Sequence, residues 1–343
     1  MLNIVSSSPH IRDNASTKGI MRDVLIALAP ATLWGFYVFG LNAVINVALA
    51  VGSAVLFEYL YEKILKKPIT IGDLSAAVTG LLLGLNLPSG HYYFVPILGS
   101  FIAIIIVKQL YGGLGQNFMN PALVGRAFLL VSFAGYMTTW PLAGQSGRFT
   151  GIDMITGATP LALLKTGSFT KLDAITKATP FALFKSGSLA VGDLQITLTD
   201  TFWGFTGGCI GEVSAVALLL GAGYLFYRKV ITWQIPVSFI GMFTLIMLIF
   251  GQKPWDMNYL AFHLTAGGLL LGAFFMATDY STSPMTGKGQ IIMGLGCGFL
   301  TALIRLFGGY PEGVSFAILI MNLFVPLLDN FLIPTSFGGR KNE

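Results

Sequence analysis

The sequence predicts an all-α polytopic membrane protein of about ten transmembrane helices, built as two inverted five-helix repeats. Three observations predict this class. Only 10% of the 343 residues are Asp, Glu, Lys or Arg while 54% are apolar, whereas soluble domains carry roughly a quarter charged residues. About ten stretches approach the ~20 apolar residues that a span requires. Short segments in the first half of the chain recur in the second. The 42 glycines agree with the class, because small residues let membrane helices approach closely.

Residues 1–22 are polar and mixed in character and lack the pattern of a cleavable signal peptide, so they are expected to stay on the cytoplasmic side. The first five-helix half covers 23–137, with spans read at 23–40, 41–61, 73–87, 92–111 and 121–137. The third and fifth are short and contain Gly80, Gly84 and Gly125, with Pro88 and Pro121 nearby. That composition predicts interrupted helices lining a site. A polar loop follows at 138–201. The second half covers 202–334, with spans at 202–227, 230–250, 257–278, 290–307 and 314–334, and a tail closes the chain at 335–343.

Charge sets the expected orientation. With the N-terminus inside, the inner side carries thirteen basic residues, among them Lys63, Lys66, Lys67, Lys108, Arg126, Arg228 and Lys229, while the short outer loops hold only Lys253 and Arg305. The positive-inside rule then puts both termini in the cytoplasm and the 138–201 loop outside. The net charge of +5 reports topology and no nucleic-acid partner, since the basic residues flank apolar runs and form no single patch.

Two internal repeats stand out on different scales. Thr79-Gly-Leu-Leu-Leu-Gly84 pairs with Gly267-Gly-Leu-Leu-Leu-Gly272, and Gln109-Leu-Tyr-Gly-Gly113 with Arg305-Leu-Phe-Gly-Gly309. Five helices per half invert the second copy relative to the first, and such folds place their sites at the interface. The finer repeat lies in the outer loop, where Asp153–Ser168 returns twenty residues later as Asp173–Ser188, with eleven of sixteen positions identical.

Several chemistries are excluded. There is no Walker sequence, no G-x-G-x-x-G between a strand and a helix and no G-x-S-x-G elbow. His10, His91 and His263 lack metal-ligand spacing, and Cys209 and Cys297 lie in separate apolar stretches, so no metal site is expected. The candidates that remain are charges at or near membrane depth: Asp73, Arg126, Glu212, His263, Asp279, Arg305, Glu312 and Asp329. An ionisable group there marks an ion or cofactor path, or sits at a helix end facing the interface. Glu212 is read inside the sixth span. Asn117 and Asn120, three apart where a helix begins, either cap that helix or offer amides to a heteroaromatic ring.

Several segments together resemble the RnfD family and cover nearly the whole chain in order. They are Ile106–Ala122, Gly211-Glu-Val-Ser214, Leu271–Asp279, Gly308–Gly313 and Asp153-Met-Ile-Thr-Gly-Ala-Thr-Pro160. The family is the D subunit of the Rnf ion-translocating ferredoxin:NAD oxidoreductase, homologous to the B subunit of the sodium-pumping NADH:quinone reductase. Ser6-Ser-Ser-Pro-His10 begins almost at once, where that homologue has a longer extension, and this favours the Rnf member.

The resemblance implies an electron-relay subunit of the bacterial or archaeal cytoplasmic membrane, with a covalent FMN joined through its phosphate to a loop threonine by a flavin transferase. The other Rnf subunits, carrying iron-sulfur clusters and flavin, would be its partners. Thr159 is preferred, because Gly157 matches the Thr-Gly-Ala-Thr form; Thr179, with Lys177 at that position, is the alternative, and both can be modified. Each precedes a proline, which keeps it extended and accessible. The resemblance also implies that Asn117 and Asn120 contact a non-covalent riboflavin, and that Asp73 and Asp279 join Glu212 as ion-path candidates; Na+ and H+ both remain open. Rival readings are a cofactor-free channel on the same repeat, or a structural anchor subunit.

Overall fold

The computed structural model describes residues 16–90, 92–138, 202–204, 208–212, 214–251, 255–308 and 312–332. The duplicated cassette, with Thr159 and Thr179, lies outside the described residues, as does His91. The described residues form helices and contain no strand; Pro88 and Cys209 make one isolated bridge.

The first half contains α1 (Thr17–Phe39), α2 (Leu41–Ile64), α3 (Ser75–Leu85), α4 (Phe94–Phe101, continued as a π-helix over Ile102–Gln109) and α5 (Pro121–Ser132). The second contains α6 (Ala215–Tyr227), α7 (Gln234–Phe250), α8 (Met257–Thr265), α9 (Leu269–Leu271, continued as a π-helix over Gly272–Met276), α10 (Gly287–Phe307) and α11 (Val314–Phe331). Four helices, α1, α2, α10 and α11, are long and apolar enough to cross a membrane, and a fifth span results if α8 and α9 count as one. This is a multi-pass membrane protein.

Glycine decides the packing, because apolar side chains gain nothing by leaving lipid for one another, and close contact has to supply the attraction. α2 packs on α3 and α4, where a Cβ on Gly80 would meet Val51 Cα at 2.7 Å. In the second half α7 packs on α10 through Gly294 and Gly298, one turn apart on the same face. The halves meet where α1 packs on α6 and where α5 packs on α11. The first seam is closed by Gly221 against the Ala27 carbonyl and by an Arg228–Asp23 salt bridge of 3.1 Å.

The first helix begins at Thr17, inside the segment read as a polar tail of residues 1–22, and two further departures from the spans read in the sequence bear on the site. In the segment read as the sixth span, the helix begins at Ala215, not near 202, because Gly208–Glu212 is not helical. Ile210 and Gly211 donate their amides to the carbonyls of Leu87 and Leu85 at 3.1 and 2.8 Å, so this strip is bound to the end of α3. Ser214 then caps α6 by accepting from Ala217 N at 3.3 Å. Glu212 therefore precedes the helix.

The segment read as the eighth span is broken into two helices. α8 and α9 meet at 61°, with Ala266 extended and Gly267 and Gly268 at φ 76° and 65°. The broken turn leaves carbonyls without helical partners. Arg305 satisfies them, donating to His263 O at 2.6 Å, Ala266 O at 3.2 Å and Gly267 O at 2.8 Å. The Gly267-Gly268 pair reads in the sequence as half of a repeat, and its role as a breakpoint depends on the arginine that arrives from α10.

Candidate functional site

A narrow cleft, open at its mouth, lies between the two halves. Its apolar walls come from both halves and include Val78, Leu82, Leu225, Ile231, Phe274 and Phe275; its polar groups include Ser75, Lys108, Asn117, Asn120, Asp279 and Ser281. Two of the sequence-predicted ligand residues and one ion-path candidate thus share one chamber.

Asn120 and Asn117 do different work. Asn120 is the cap of α5, accepting from Ala122 N and Leu123 N at 3.1 and 3.4 Å, while its amide donates to Met276 O at 3.3 Å. The capping reading holds for this residue. Asn117 caps nothing: its Nδ2 donates to Ser281 Oγ at 3.3 Å, and its buried Oδ1 has no hydrogen-bond partner. A buried acceptor left unmatched costs about 1–3 kcal/mol. At the wall of a cleft, such an atom is poised to accept from a ligand N–H or O–H.

Asp279 follows the π-helical end of α9 and accepts from Ser281 Oγ at 2.9 Å and Thr282 Oγ1 at 3.3 Å. Burial pushes its carboxyl above the ordinary aspartate range, and the two hydroxyls offset that only in part. Asp73 does not line the cleft. It binds the first turn of α3, accepting from Ser75 N at 2.8 Å and Ser75 Oγ at 2.6 Å.

Behind the Ser75 wall lies an ion pair that sequence reading does not find. Lys108, only 1% exposed, donates to Glu58 Oε1 and Oε2 at 2.8 and 3.0 Å and to Ser75 Oγ at 2.6 Å; Gln109 also donates to Glu58 at 2.9 Å. Charge counting assigns Lys108 to the inner surface. Its burial shows that this basic residue serves a partner and not the membrane interface. Glu58 gives no signal in the sequence, since one acidic residue near the end of a span reads as an interfacial charge.

The second cluster centres on Arg126. Its guanidinium donates to Glu212 at 3.2 Å, Asn86 at 3.0 Å, Ser315 at 2.9 Å and Glu312. Arg126 and Glu312 are each about 4% exposed. Arg126, assigned by charge to the inner side, and Arg305, assigned to the outer, both bind Glu312 and so lie at one depth. Ligand atoms of Cys209, Glu212 and Glu312 lie within 4.8 Å of one another. Arg126 nevertheless satisfies both carboxylates, which makes the cluster a cross-half ion-pair network. The ion-path candidates therefore divide: Asp279 in the cleft, Asp73 beside it, and Glu212 in this separate network.

Comparison with known proteins agrees with this architecture. Residues 4–338 match the model of the NQR2, RnfD, RnfE family. The chain is 48% identical over 339 residues to the D subunit of the Na+-translocating ferredoxin:NAD+ oxidoreductase complex of Acetobacterium woodii, covering 98% of this chain and 96% of that one. It is 46% identical over 338 residues to the D subunit of the proton-translocating ferredoxin:NAD+ oxidoreductase complex of Clostridium ljungdahlii, covering 98% and 96%. The D subunit of the ion-translocating oxidoreductase complex of Stutzerimonas stutzeri is 38% identical over 342 residues, covering 94% and 93%. A match spanning both helical halves and the loop between them, together with relatives aligned from end to end, shows that this chain belongs to the NQR2, RnfD, RnfE family.

Proposed function

We propose that the chain is the membrane electron-relay subunit of an ion-translocating ferredoxin:NAD+ oxidoreductase complex. It would hold a covalent FMN on Thr159 or Thr179 and a second, non-covalent flavin of the riboflavin type in the cleft. The complex-level part of this reading is supported by the names of its relatives. The single observation that carries the cofactor part is the orphaned Asn117 Oδ1 at the edge of an apolar-walled cleft between the two halves.

A flavin, when bound, supplies one- and two-electron chemistry; the chain supplies position and electrostatics. Asn117 would accept from the ring edge, and the Phe274 and Leu82 walls would exclude water from its faces. Asn120, which ties α5 to the Met276 carbonyl, keeps the two halves in register around the chamber. The two halves, in this reading, are inverted five-helix repeats, on the pairing of Thr79–Gly84 with Gly267–Gly272. In this reading both termini face the cytoplasm and the flavin-bearing loop faces outward. Asp73, Glu212 and Asp279 remain the ion-path candidates, on the argument that charged groups at this depth line a route.

Partners would include the iron-sulfur and flavin subunits of the complex and a flavin transferase for maturation. The test is co-expression of the full chain with such a transferase. Expected are an intact-mass increase of one or two flavin phosphate adducts, fluorescence on a denaturing gel lost in Thr159→Ala or Thr179→Ala, and acid-extractable riboflavin. An unshifted mass with no extractable flavin would instead support the cofactor-free channel or the anchor.

A further inference from the structure

The end of α2 is a fixed corner, although residues 63–70 are all exposed. Lys66 N donates to Lys63 O at 3.3 Å and Lys67 N to Glu62 O at 2.8 Å, a paired closure that usually takes glycine at its left-handed residue. Lys66 holds that position here, at φ 54°. Further on, Thr70 donates its amide at 3.0 Å, and its hydroxyl, to the buried carboxylate of Glu62. The other acids nearby are also engaged within the fold, Glu58 by Lys108 and Asp73 by Ser75.

Lys63, Lys66 and Lys67 are exposed, and none of them makes a salt bridge among the described residues. Lys63 Nζ stands 5.4 Å from the centroid of the Tyr59 ring and Lys67 Nζ 5.1 Å from that of Tyr61, so aromatic faces hold two of the three and leave their charge uncompensated. An apolar stripe leads into this corner. Leu56, Leu60 and Ile64, four apart and so on one face of α2, are all exposed, Ile64 by 75%. Leu65 and Ile69 are exposed among the lysines. The 24 residues of α2 rise about 36 Å, against about 30 Å for the hydrocarbon core, so the helix end emerges among the headgroups.

We propose that this corner binds an anionic phospholipid of the surrounding bilayer, with its phosphate among Lys63, Lys66 and Lys67 and an acyl chain along Leu56, Leu60 and Ile64. The order of the surfaces decides the class of ligand. The exposed stripe of a membrane helix runs into three cations, and a phospholipid presents an acyl chain and then a phosphate in the same order. An acidic protein face would match the charge but not the stripe. Basic residues beside a span attract anionic lipid in any case; here a turn closed by the buried Glu62 fixes three of them in place. Glycine would close that turn without strain, so the ammonium is what a lysine at position 66 adds.

The experiment uses the purified full chain, stripped of lipid in detergent and titrated with dioleoyl phosphatidylglycerol or, for comparison, dioleoyl phosphatidylcholine. Bound lipid is counted by native mass spectrometry, and thermal midpoints are taken in parallel. The variants are Lys63→Gln, Lys66→Gln and Lys67→Gln combined, Lys66→Gly alone, and Lys288→Gln, which removes one exposed charge at the start of α10 as a control. The wild type is expected to prefer phosphatidylglycerol. Each lysine beside anionic lipid is worth a factor of about five, so Lys66→Gly should weaken that binding about fivefold and the triple variant about a hundredfold, with phosphatidylcholine unaffected. Lys66→Gly should melt no lower than the wild type, since glycine suits the left-handed turn, and it decides the matter should the triple variant fail to fold. Lys288→Gln should bind as the wild type does. A wild type without the preference, a Lys66→Gly variant that binds as tightly as the wild type, or an equal loss in Lys288→Gln overturns the proposal. Unchanged phosphatidylglycerol binding in the triple variant, with partner subunits lost from its isolated complex, would overturn it in favour of an acidic protein face.

Discussion

Gly298→Ala tests whether close helix contact, and not apolar burial, holds the second half together. A Cβ at Gly298 would lie 2.5 Å from Phe239 O, 2.9 Å from Met242 Cβ and 3.0 Å from Phe243 N. Two of these neighbours are backbone atoms, so α7 itself has to move away from α10. Overpacking of this kind costs about 1–3 kcal/mol. Against it stands the intrinsic helix preference for Ala over Gly, about 0.8–1 kcal/mol. Gly241, on α7, has no atom within 4 Å of its ideal Cβ and so isolates the preference term. Gly241→Ala is therefore expected to match or exceed the wild type, and Gly298→Ala to fall about 1–3 kcal/mol below Gly241→Ala. At roughly 2–4 °C per kcal/mol for chains of a few hundred residues, the gap is several degrees. The assay is thermal denaturation of the two purified variants in one detergent, followed by loss of monodisperse protein. If Gly298→Ala melts with Gly241→Ala, the contact argument for the α7–α10 seam is refuted.

Three further outcomes follow from the polar sites. Arg126→Met strands Glu212 and Glu312 without their shared partner, and breaking a buried pair costs about 3–5 kcal/mol; a thermal midpoint at the wild-type value would show that the network does not join the halves. On the proposed flavin reading of the cleft, Asn117→Ala removes the orphaned acceptor at its wall and should weaken retention of non-covalent flavin about tenfold, for a hydrogen bond worth about 1.4 kcal/mol; unchanged flavin content after extensive dialysis would contradict that contact. Asp279, raised by burial, binds its proton more tightly in the folded chain than in the unfolded one. The stabilisation this brings is complete below the ordinary aspartate pKa of about 3.9 and is lost as pH rises through the raised folded value. Asp279→Asn should therefore melt above the wild type at about pH 8 and converge with it near pH 4, and a gap that does not vary with pH would rule out the charge as its cause.

Composition and hydropathy alone determined that this is a helical membrane protein, because a bilayer admits only long apolar runs whose backbone is satisfied internally. Motif order pointed to the family, and Asn117, Asn120 and Asp279 were legible because they stand in those motifs. Other features were decided by tertiary structure. Glu58 and Lys108 are fifty residues apart, and nothing in either neighbourhood names the other; α2 and α4 bring them together. A rule that counts charges along the chain divides Arg126 and Arg305 between opposite membrane sides, yet both bind Glu312. The break at Gly267-Gly268 likewise depends on a guanidinium arriving from α10 to satisfy its carbonyls. Local sequence specifies which segments are helices, but the partner of a buried charge is set by which helices pack together, and that pairing is a property of the whole fold.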